Sequence, residues 1–219
     1  FNQQKKIHNK VIEIENISKN YGEISVINKF STIINSGDRI AIIGENGIGK
    51  TTFLKCLVED EFINEGKVKW SENALVGYFP QNPSNEFKSN ISLLDWMNQW
   101  SHEEDDLETV RGTLGRLLFS QNDIGKPISV LSGGEQRRML FGKIILQRAN
   151  VIILDEPTNH LDMESIESLN HALNLFEGTS IFVSHDREFI SSLATRVIEI
   201  KSGKIIDYDD NYNNYISKK

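Results

Sequence analysis

The residues of this chain best suited to chemistry form a glycine-rich loop that ends in a lysine and a threonine. The loop fits the nucleotide-binding P-loop pattern in full. With the residue after it, it reads Gly44, Glu45, Asn46, Gly47, Ile48, Gly49, Lys50, Thr51, Thr52. Its N–H groups can converge on phosphate oxygens at a helix N-terminus. Lys50 would then reach the β- and γ-phosphates, and the Thr51 hydroxyl would ligate Mg²⁺.

The surroundings of this loop favour a nucleotide site over the alternative of an exposed glycine-rich turn. The apolar run Arg39–Ile43 precedes the loop and is typical of a buried parallel strand. The stretch from Thr51 to Val58 can continue as a helix. We therefore expect strand, loop and helix in that order.

Two acidic residues follow a second apolar run, Val151–Leu154, which also predicts a buried strand. Ligands of open α/β sheets bind outside the carboxyl ends of the strands. Asp155 is thus placed to bind Mg²⁺ through water, and Glu156 to act as general base for an attacking water. Alone, such a pair would indicate an acidic helix cap. The P-loop favours the metal site, because it needs a magnesium carboxylate on a neighbouring strand.

A third run, Thr179–Ser184, ends at His185. A neutral imidazole there could donate to the γ-phosphate and hold the water and Glu156 in place. A lone histidine is more often a packing or surface residue, and the chain has 5 of them. The position of His185 at a strand end, where the other candidate groups cluster, favours the catalytic interpretation.

Three further features each leave two interpretations open. Ser132, Gly133 and Gly134, followed by Glu135, predict either a second anion-binding helix end or an ordinary capped helix start. Tyr21 is either a stacking face for adenine or a buried strand residue. Gln81 is either a sensor of metal and water or a turn residue. Two phosphate motifs in one chain indicate a machine in which two such domains close on ATP.

Composition sets broad limits. At 219 residues, 38% of them hydrophobic, the chain can bury a real core as one domain or two closely joined ones. We expect a soluble, cytoplasmic product without membrane insertion: there is no apolar stretch of spanning length and no signal-peptide pattern, and the single Cys56 fits a reducing compartment. A net charge of −7 argues against a broad binder of nucleic-acid backbone.

The order of patterns predicts an α/β fold. Residues 1–10 read as the end of a linker and residues 11–219 as one domain. Alternating runs from Val11 to Ile34 predict antiparallel strands, which Lys67–Trp70 and Val76–Phe79 would extend. Residues 86–147 predict a small helical subdomain that carries the Ser132 motif. We expect a P-loop NTPase core with a mostly parallel sheet, an antiparallel β subdomain and this helical subdomain.

The motifs together resemble those of an ABC-type ATPase domain. They occur in the same order over nearly the whole chain: Tyr21, the P-loop, Gln81, Leu131–Gln136, Val151–Glu156, Asn159–Asp162 and Ser184-His185. Residues 155–162 and 184–189 resemble the ABC-F branch, soluble proteins with two ATPase domains in tandem that are associated with translation and the ribosome. The chain is most similar to the C-terminal ATPase domain of a bacterial ABC-F protein. Its tail, Tyr208–Tyr215, resembles the ending of that branch, although Asp210 stands where a glycine is usual.

This resemblance implies ATP and Mg²⁺ as ligands and a second ABC ATPase domain and the ribosome as partners. The second domain would be the tandem half of a full-length chain, or a second copy of this chain in a homodimer. It implies that Ser132, Gly133 and Gly134, with Glu135, contact the nucleotide of the opposite domain. It implies cross-talk between the two sites through Asn159 and Asp162. The catalytic set is then Lys50, Gln81, Glu156 and His185, and the metal set is Thr51, Gln81 and Asp155.

Two other functions stay open. The chain could be the ATPase subunit of an ABC membrane transporter, or a module that holds ATP without useful hydrolysis. Asn159-His160 resembles the soluble branch more than the transporter one. Glu156 and His185 are both present, which weakens the binding-module hypothesis.

Overall fold

The computed structural model describes residues 9–159, 161–201 and 204–219. Most of the predicted linker at residues 1–10 lies outside these ranges, as does His160. The first strand begins at Lys10, inside the predicted linker.

Within these ranges the chain forms nine strands and seven α-helices. The strands are β1 Lys10–Tyr21, β2 Ile24–Asn35, β3 Arg39–Ile43, β4 Glu65–Trp70, β5 Val76–Phe79, β6 Val151–Asp155, β7 Thr179–Val183, β8 Arg196–Lys201 and β9 Lys204–Tyr208. The helices are α1 Lys50–Leu57, α2 Leu93–Asn98, α3 Leu107–Arg116, α4 Gly133–Leu146, α5 Met163–Asn174, α6 Arg187–Leu193 and α7 Tyr212–Ser217.

Six strands form the main sheet, in the order β5-β6-β7-β3-β8-β9. Neighbours from β5 to β8 are parallel, and β9 returns antiparallel to β8 at the edge. Every residue of β6 and of β7 is buried, as expected for central parallel strands covered on both faces. Because the strands are parallel, the residues after β3, β6 and β7 emerge at one edge of the sheet.

The two faces of this sheet pack against different layers. Ile152 and Leu154 of β6 join a cluster with residues of α2, α3 and α4. Val151 and Ile153 point to the opposite face and join a cluster with α1 and the strands β1 and β2. Strand periodicity thus divides one continuous apolar run between two cores.

A second sheet is antiparallel, in the order β2-β1-β4. A tight connection at Gly22 and Glu23 pairs Tyr21 with Ile24 and closes the β1–β2 hairpin. The predicted antiparallel strands between Val11 and Ile34, and their extension by Lys67–Trp70, are therefore present.

The expectation that Val76–Phe79 extends this antiparallel sheet is wrong. These residues form β5, which pairs in parallel with β6 at the edge of the main sheet. A four-residue apolar run has too little pattern to distinguish the two kinds of strand. Packing decides the matter, because Gly77 lies against Ile144 and Ala149 at the end of α4.

The fold class predicted from the sequence is confirmed: an α/β core with a mostly parallel sheet, joined by an antiparallel sheet and a group of helices. None of the helices in the described ranges combines the length and the apolar character needed to cross a membrane.

We expect Gly77→Ala to lower the free energy of unfolding. A Cβ at this position would lie 2.9 Å from Ile144 Cγ2 and 3.1 Å from Ala149 Cβ, closer than packed carbons allow. Overpacking of this kind costs about 1–3 kcal/mol, which urea denaturation would measure. Gly125→Ala is the control, since nothing lies within 4 Å of a Cβ there. Equal stability of the two variants would contradict the close packing of β5 on α4.

Candidate active site

A cavity of about 370 Å³ opens at the carboxyl edge of the main sheet. Its walls come from the loop after β3, the start of α1, the loop after β5 and the ends of β6 and β7. The lining residues are Asn46, Gly47, Gly49, Lys50, Thr51, Thr52, Gln81, Asp155, Glu156, Val183 and His185. The structure therefore brings together candidate residues that lie up to 139 positions apart in the sequence, from Asn46 to His185.

The glycine-rich loop can take its path only because two of its residues lack a Cβ. Gly49 precedes α1 with φ +112°, and a Cβ there would lie 2.1 Å from Val26 Cγ1. Gly44 has φ +152°, and a Cβ would lie 2.4 Å from the backbone oxygen of Ile200. The loop is therefore wedged between β2 and β8 and cannot accept side chains at these positions.

Lys50, the first residue of α1, is buried and turned back on the loop. Its Nζ donates to the backbone oxygens of Gly44 at 2.9 Å and Glu45 at 3.0 Å. Burial lowers the pKa of Lys50, and the nearby carboxyl groups of Glu156 and Asp155 oppose that effect. The ammonium group lies where it can exchange two carbonyl contacts for phosphate oxygens, which bind it more strongly.

Asp155 ends β6 and is completely buried. Burial raises the pKa of its carboxyl group, against the influence of the Thr51 hydroxyl and the ammonium groups of Lys50 and Lys55. Neither carboxylate oxygen has a hydrogen-bond partner in the part of the chain that the structure describes. A buried, unsatisfied carboxylate is costly, and such a group marks a place for a ligand.

The donor set around Asp155 fits Mg²⁺. Thr51 supplies a hydroxyl and Gln81 an amide, and both line the same cavity. Hard oxygen donors suit this ion, which usually takes one or two carboxylates and completes its shell with water and phosphate oxygens. The described residues contain no group of three or more His, Cys, Asp or Glu that could hold a metal ion. A cation here would therefore depend on the nucleotide for part of its coordination.

Glu156 follows directly, with its backbone in the left-handed region at φ +52°. For a residue with a Cβ this conformation costs about 1–3 kcal/mol, and it persists where the surroundings hold it. The Glu156 N–H donates to Val183 O at 3.0 Å, and Asn159 N–H donates to Glu156 O at 3.3 Å. In this conformation Glu156 lines the cavity.

The Glu156 carboxylate lies beside the ring of His185. The distance from His185 Nε2 to Glu156 Oε1 is 3.2 Å, and the exposed fractions of the two side chains are 55% and 4%. Burial raises the pKa of Glu156, while His185 opposes the rise. A carboxylate with a raised pKa is better matched to accept a proton near neutral pH.

Gln81 lies in the loop after β5 and connects the cavity with the helices. Its backbone oxygen accepts a hydrogen bond of 3.2 Å from Arg137 Nη2. Arg137 is buried on α4, with its guanidinium carbon 5.8 Å from the centre of the Phe79 ring. The backbone of this loop is thus tied to the helix that begins with the Ser132 motif.

The Ser132 motif forms a helix N-terminus away from the cavity. Glu135 N–H donates to Ser132 Oγ at 3.4 Å, and Ser132 N–H donates to Glu135 Oε2 at 2.8 Å, which together make a capping box. Ser132, Gly133 and Gly134 are exposed. The capped helix start is therefore present, and contact with the nucleotide of another domain stays a prediction.

Tyr21 is exposed, so the alternative of a buried strand tyrosine is wrong. Lys19 Nζ lies 4.6 Å from the centre of its ring. The ring does not line the cavity, but it belongs to the β1–β2 hairpin, and Val26 of that hairpin contacts the loop at Gly49. Stacking on adenine stays a prediction.

The two residues expected to communicate between sites also lie outside the cavity. Asp162 caps α5, where its Oδ1 accepts a 2.8 Å hydrogen bond from Ser165 N–H. That hydrogen bond lowers the pKa of Asp162. Asn159 is partly buried in the turn after Glu156. Their predicted role across a domain interface stays a prediction.

The sequence analysis missed Arg137, Thr158 and Ser184 as neighbours of the site. Thr158 Oγ1 and Ser184 Oγ, both buried, lie 3.2 Å apart. Thr158 and Ser184 lie within runs of sequence that carry the resemblance, and Arg137 follows directly after one of them. Their contacts join separate elements, however, so no local pattern could reveal them.

The glycine-rich loop, the buried carboxyl groups at the end of β6 and the histidine after β7 lie at one cavity, which agrees with the expected ABC-type ATPase domain. The family model for ABC transporters matches residues 27–159, more than half of the chain, and the chain therefore belongs to this family.

Curated relatives place the similarity more narrowly. Over its whole length the chain is 52% identical to YbiT of Escherichia coli O157:H7, which is described as a "Probable ATP-binding protein", and it covers 41% of that protein. It is 37% identical to ABC transporter F family member 5 of Arabidopsis thaliana, over 95% of the chain and 30% of that protein. It is 32% identical to the ATP-binding protein Uup of Buchnera aphidicola, over 95% of the chain and 36% of that protein. The chain thus spans about two fifths or less of the length of these relatives.

A solved structure supports the fold. The chain matches a structure described as "An inward-facing conformation of a putative metal-chelate type ABC transporter". The TM-score is 0.71 and the identity 22%, and the match covers 92% of this chain and 84% of that one. At this identity the match supports the architecture alone.

We expect Asp155→Asn to stabilise the nucleotide-free chain while weakening its Mg²⁺-ATP binding. The pKa of Asp155 is higher in the folded chain than in the unfolded chain. Below the unfolded pKa of about 4 the carboxyl group is protonated in both states, and its stability contribution is fully present. That contribution is lost as pH rises through the folded-state pKa. The gain in Tm from the amide should therefore grow with pH from about zero near pH 4. Each 1 kcal/mol corresponds to about 2–4 °C at this chain length.

Thermal melts from pH 4 to 8 would measure this difference. Asp162→Asn is the matched control, because the pKa of that exposed carboxyl is lowered in the folded state. The control should show no gain in Tm that grows with pH. A parallel pH dependence of the two variants would contradict the electrostatic cost assigned to Asp155.

Proposed function

We propose that this chain binds and hydrolyses ATP with Mg²⁺, that it closes on ATP with a second ATPase domain, and that the whole protein acts on the ribosome in translation. The observation that carries the proposal is the convergence of Lys50, Asp155, Glu156 and His185 on one cavity beside the glycine loop. Each of these groups has a separate role in transferring a phosphoryl group to water.

Binding begins at the loop. Backbone N–H groups between Gly44 and Thr51 surround the phosphates at the N-terminus of α1, where the helix dipole favours an anion. Lys50 releases the carbonyl oxygens of Gly44 and Glu45 and turns to the β- and γ-phosphates. Thr51, Asp155 and Gln81 would hold Mg²⁺, which supplies charge neutralisation at the phosphates.

Hydrolysis then depends on the two side chains at the ends of β6 and β7. Glu156 accepts a proton from the attacking water at its carboxylate. His185, with Nε2 3.2 Å from that carboxylate, holds the geometry and donates to an oxygen of the γ-phosphate. The burial of Glu156 excludes bulk water from its side of the site and raises its proton affinity.

A second domain is supported by the position of the Ser132 motif. The N–H groups at the start of α4 form an exposed helix N-terminus, suited to an anion but outside this chain's own cavity. We assign it to the nucleotide held by the opposite domain, with Ser132, Gly133, Gly134 and Glu135 in contact. In the same closed state, Tyr21 would stack on adenine, and Asn159 and Asp162 would meet the partner.

The ribosome as partner is supported by the resemblance of residues 155–162 and 184–189 to the ABC-F branch, and by the similarity to an ABC transporter F family member. With a net charge of −7, the chain is a poor binder of ribosomal RNA by itself. Other parts of a longer, cytoplasmic protein would make those contacts. An ATPase subunit of a membrane transporter, the alternative function, would hydrolyse ATP in the same way but would not bind the ribosome.

The isolated chain should bind Mg²⁺-ATP but hydrolyse it weakly at high dilution. If each complete site needs the Ser132 motif of another domain, specific activity should rise with protein concentration or on addition of the second domain. Phosphate release measured over a wide concentration range, with sedimentation in parallel, would test this. High activity that is constant down to the dilute monomer would remove the second domain from the mechanism.

Glu156→Gln should separate binding from hydrolysis. The amide keeps the size of the side chain but cannot take a proton, so turnover should fall by roughly 10²–10⁴-fold. ATP binding should survive, because a carboxylate near the γ-phosphate becomes neutral. The closed, ATP-bound pair should accumulate, and the full-length variant should remain on ribosomes in ATP. Phosphate release and co-sedimentation with ribosomes are the two measurements.

The outcomes of this experiment are distinct. Near-normal turnover would remove Glu156 from the mechanism. Lost turnover without retention on ribosomes would keep the ATPase and favour the transporter alternative. Glu103→Gln, at an exposed residue outside the cavity, provides the matched acid-to-amide control for the chemical step.

A further inference from the structure

The two turns that carry Glu156 and His185 are joined by a buried pair of hydroxyl groups. Thr158 Oγ1 and Ser184 Oγ lie 3.2 Å apart, and either atom can be the donor. Thr158 and Ser184 retain only 8% and 5% of their exposure. Thr158 follows Glu156 by two positions, and Ser184 immediately precedes His185. The contact therefore joins the turn after β6 to the turn after β7, within two residues of each candidate catalytic residue.

Ser184 also fixes the turn on which His185 lies. The Asp186 N–H donates to Ser184 Oγ at 3.1 Å, so His185 is the middle residue of a three-residue turn closed by the serine side chain. On the far side, Asp186 Oδ1 accepts hydrogen bonds from Glu188 N–H at 2.9 Å and Phe189 N–H at 3.1 Å. The backbone on both sides of His185 is thus held, although its ring is largely exposed.

Thr158 has the matching place in the other turn. Glu156 is in the left-handed region at φ +52° and needs its surroundings to hold it there. The hydrogen bond from Glu156 N–H to Val183 O holds the start of the turn, where the chain leaves β6. On the other side, Leu161 N–H donates to Thr158 O at 3.2 Å, and the Thr158 hydroxyl contacts Ser184. The turn is therefore tied to β7 both before and after Glu156.

We propose that Thr158 and Ser184 are positioning residues whose shared hydrogen bond sets the distance between the Glu156 carboxylate and the His185 ring. Neither hydroxyl lines the cavity, so neither contacts the nucleotide or the attacking water. They act through the two turns. This inference rests on the proposed function, since it concerns the pair that would activate and orient water.

Removal of the hydroxyl groups should affect the chemical step and leave nucleotide affinity unchanged. Thr158→Val keeps the shape of the side chain, and Ser184→Ala removes the other partner. In the full-length protein each should lower kcat for ATP hydrolysis by roughly 10- to 100-fold, the effect of a displacement of about 1 Å between reacting groups. KM for ATP should stay at the parent value, because the loop and Lys50 are untouched.

Two further variants separate positioning from general loss of packing. Thr158→Ser restores the hydroxyl and should recover most of the parent kcat. Thr179→Val is the matched control. Thr179 is a buried threonine like Thr158, but it lies at the start of β7, at the far end from the cavity. Its hydroxyl accepts a hydrogen bond from Gly37 N–H and donates one to Asn35 O. It should lower Tm with little change in kcat.

A double variant tests whether the two hydroxyl groups act as one unit. If they act through their mutual hydrogen bond, Thr158→Val with Ser184→Ala should lose no more activity than the worse of the two single variants. If the valine variant fails to fold, Ser184→Ala and Thr158→Ala allow the same comparison. Turnover of Glu156→Gln is measured in parallel and subtracted as the contribution of any other site.

Parent-like kcat in both Thr158→Val and Ser184→Ala, with Glu156→Gln inactive, overturns the positioning role and leaves the ATPase intact. A loss of kcat in Thr179→Val as large as in Thr158→Val overturns it as well, as do multiplying losses in the double variant. Parent-like turnover in Glu156→Gln overturns the proposed mechanism, and the positioning role with it.

Discussion

The parallel pairing of β6 with β7 is the constraint on which the site depends. Asp155 lies opposite Val183 in this register, and the ladder continues one step further, from Glu156 N–H to Val183 O. A slip of one residue would turn Asp155 to the other face of the sheet and separate Glu156 from His185. The register is held by apolar side chains on both faces, which belong to two different cores. Packing far from the nucleotide therefore sets the geometry at the edge of the sheet.

The site concentrates features that oppose folding. Two carboxyl groups with raised pKa values are buried side by side, a glutamate adopts a left-handed backbone, and Lys50 is buried with a lowered pKa. Each costs stability in the nucleotide-free chain. Under the proposed function, a cation beside Asp155 and phosphate oxygens beside Lys50 would offset the electrostatic part of that cost. This exchange of stability for function is common in active sites.

The sequence predicted the fold class and most of the cavity, because the P-loop and the strand-end residues follow from local patterns and from the geometry of parallel sheets. Asp155, Glu156 and His185 each end an apolar run, and parallel strands bring such ends together. Val76–Phe79 was assigned to the wrong sheet, since four residues carry too little periodicity to show their neighbours. The exposure of Tyr21, the link from Arg137 to Gln81 and the contact between Thr158 and Ser184 were also beyond local patterns. All depend on which elements meet in space.

The hydrogen bond from Arg137 to Gln81 ties the helical part of the molecule to the loop beside the cavity. Arg137 lies on α4 five residues after the N-cap Ser132, so one rigid helix carries both the exposed Ser132 motif and the contact with the Gln81 backbone. Any rotation of α4 against the sheet must carry the loop with it or break that 3.2 Å hydrogen bond. Arg137 also packs on Phe79, the last residue of β5, so it holds the loop near the place where the loop leaves the sheet. Buried Arg137 therefore connects the helix that begins at the exposed Ser132 motif with the backbone of the loop beside the cavity.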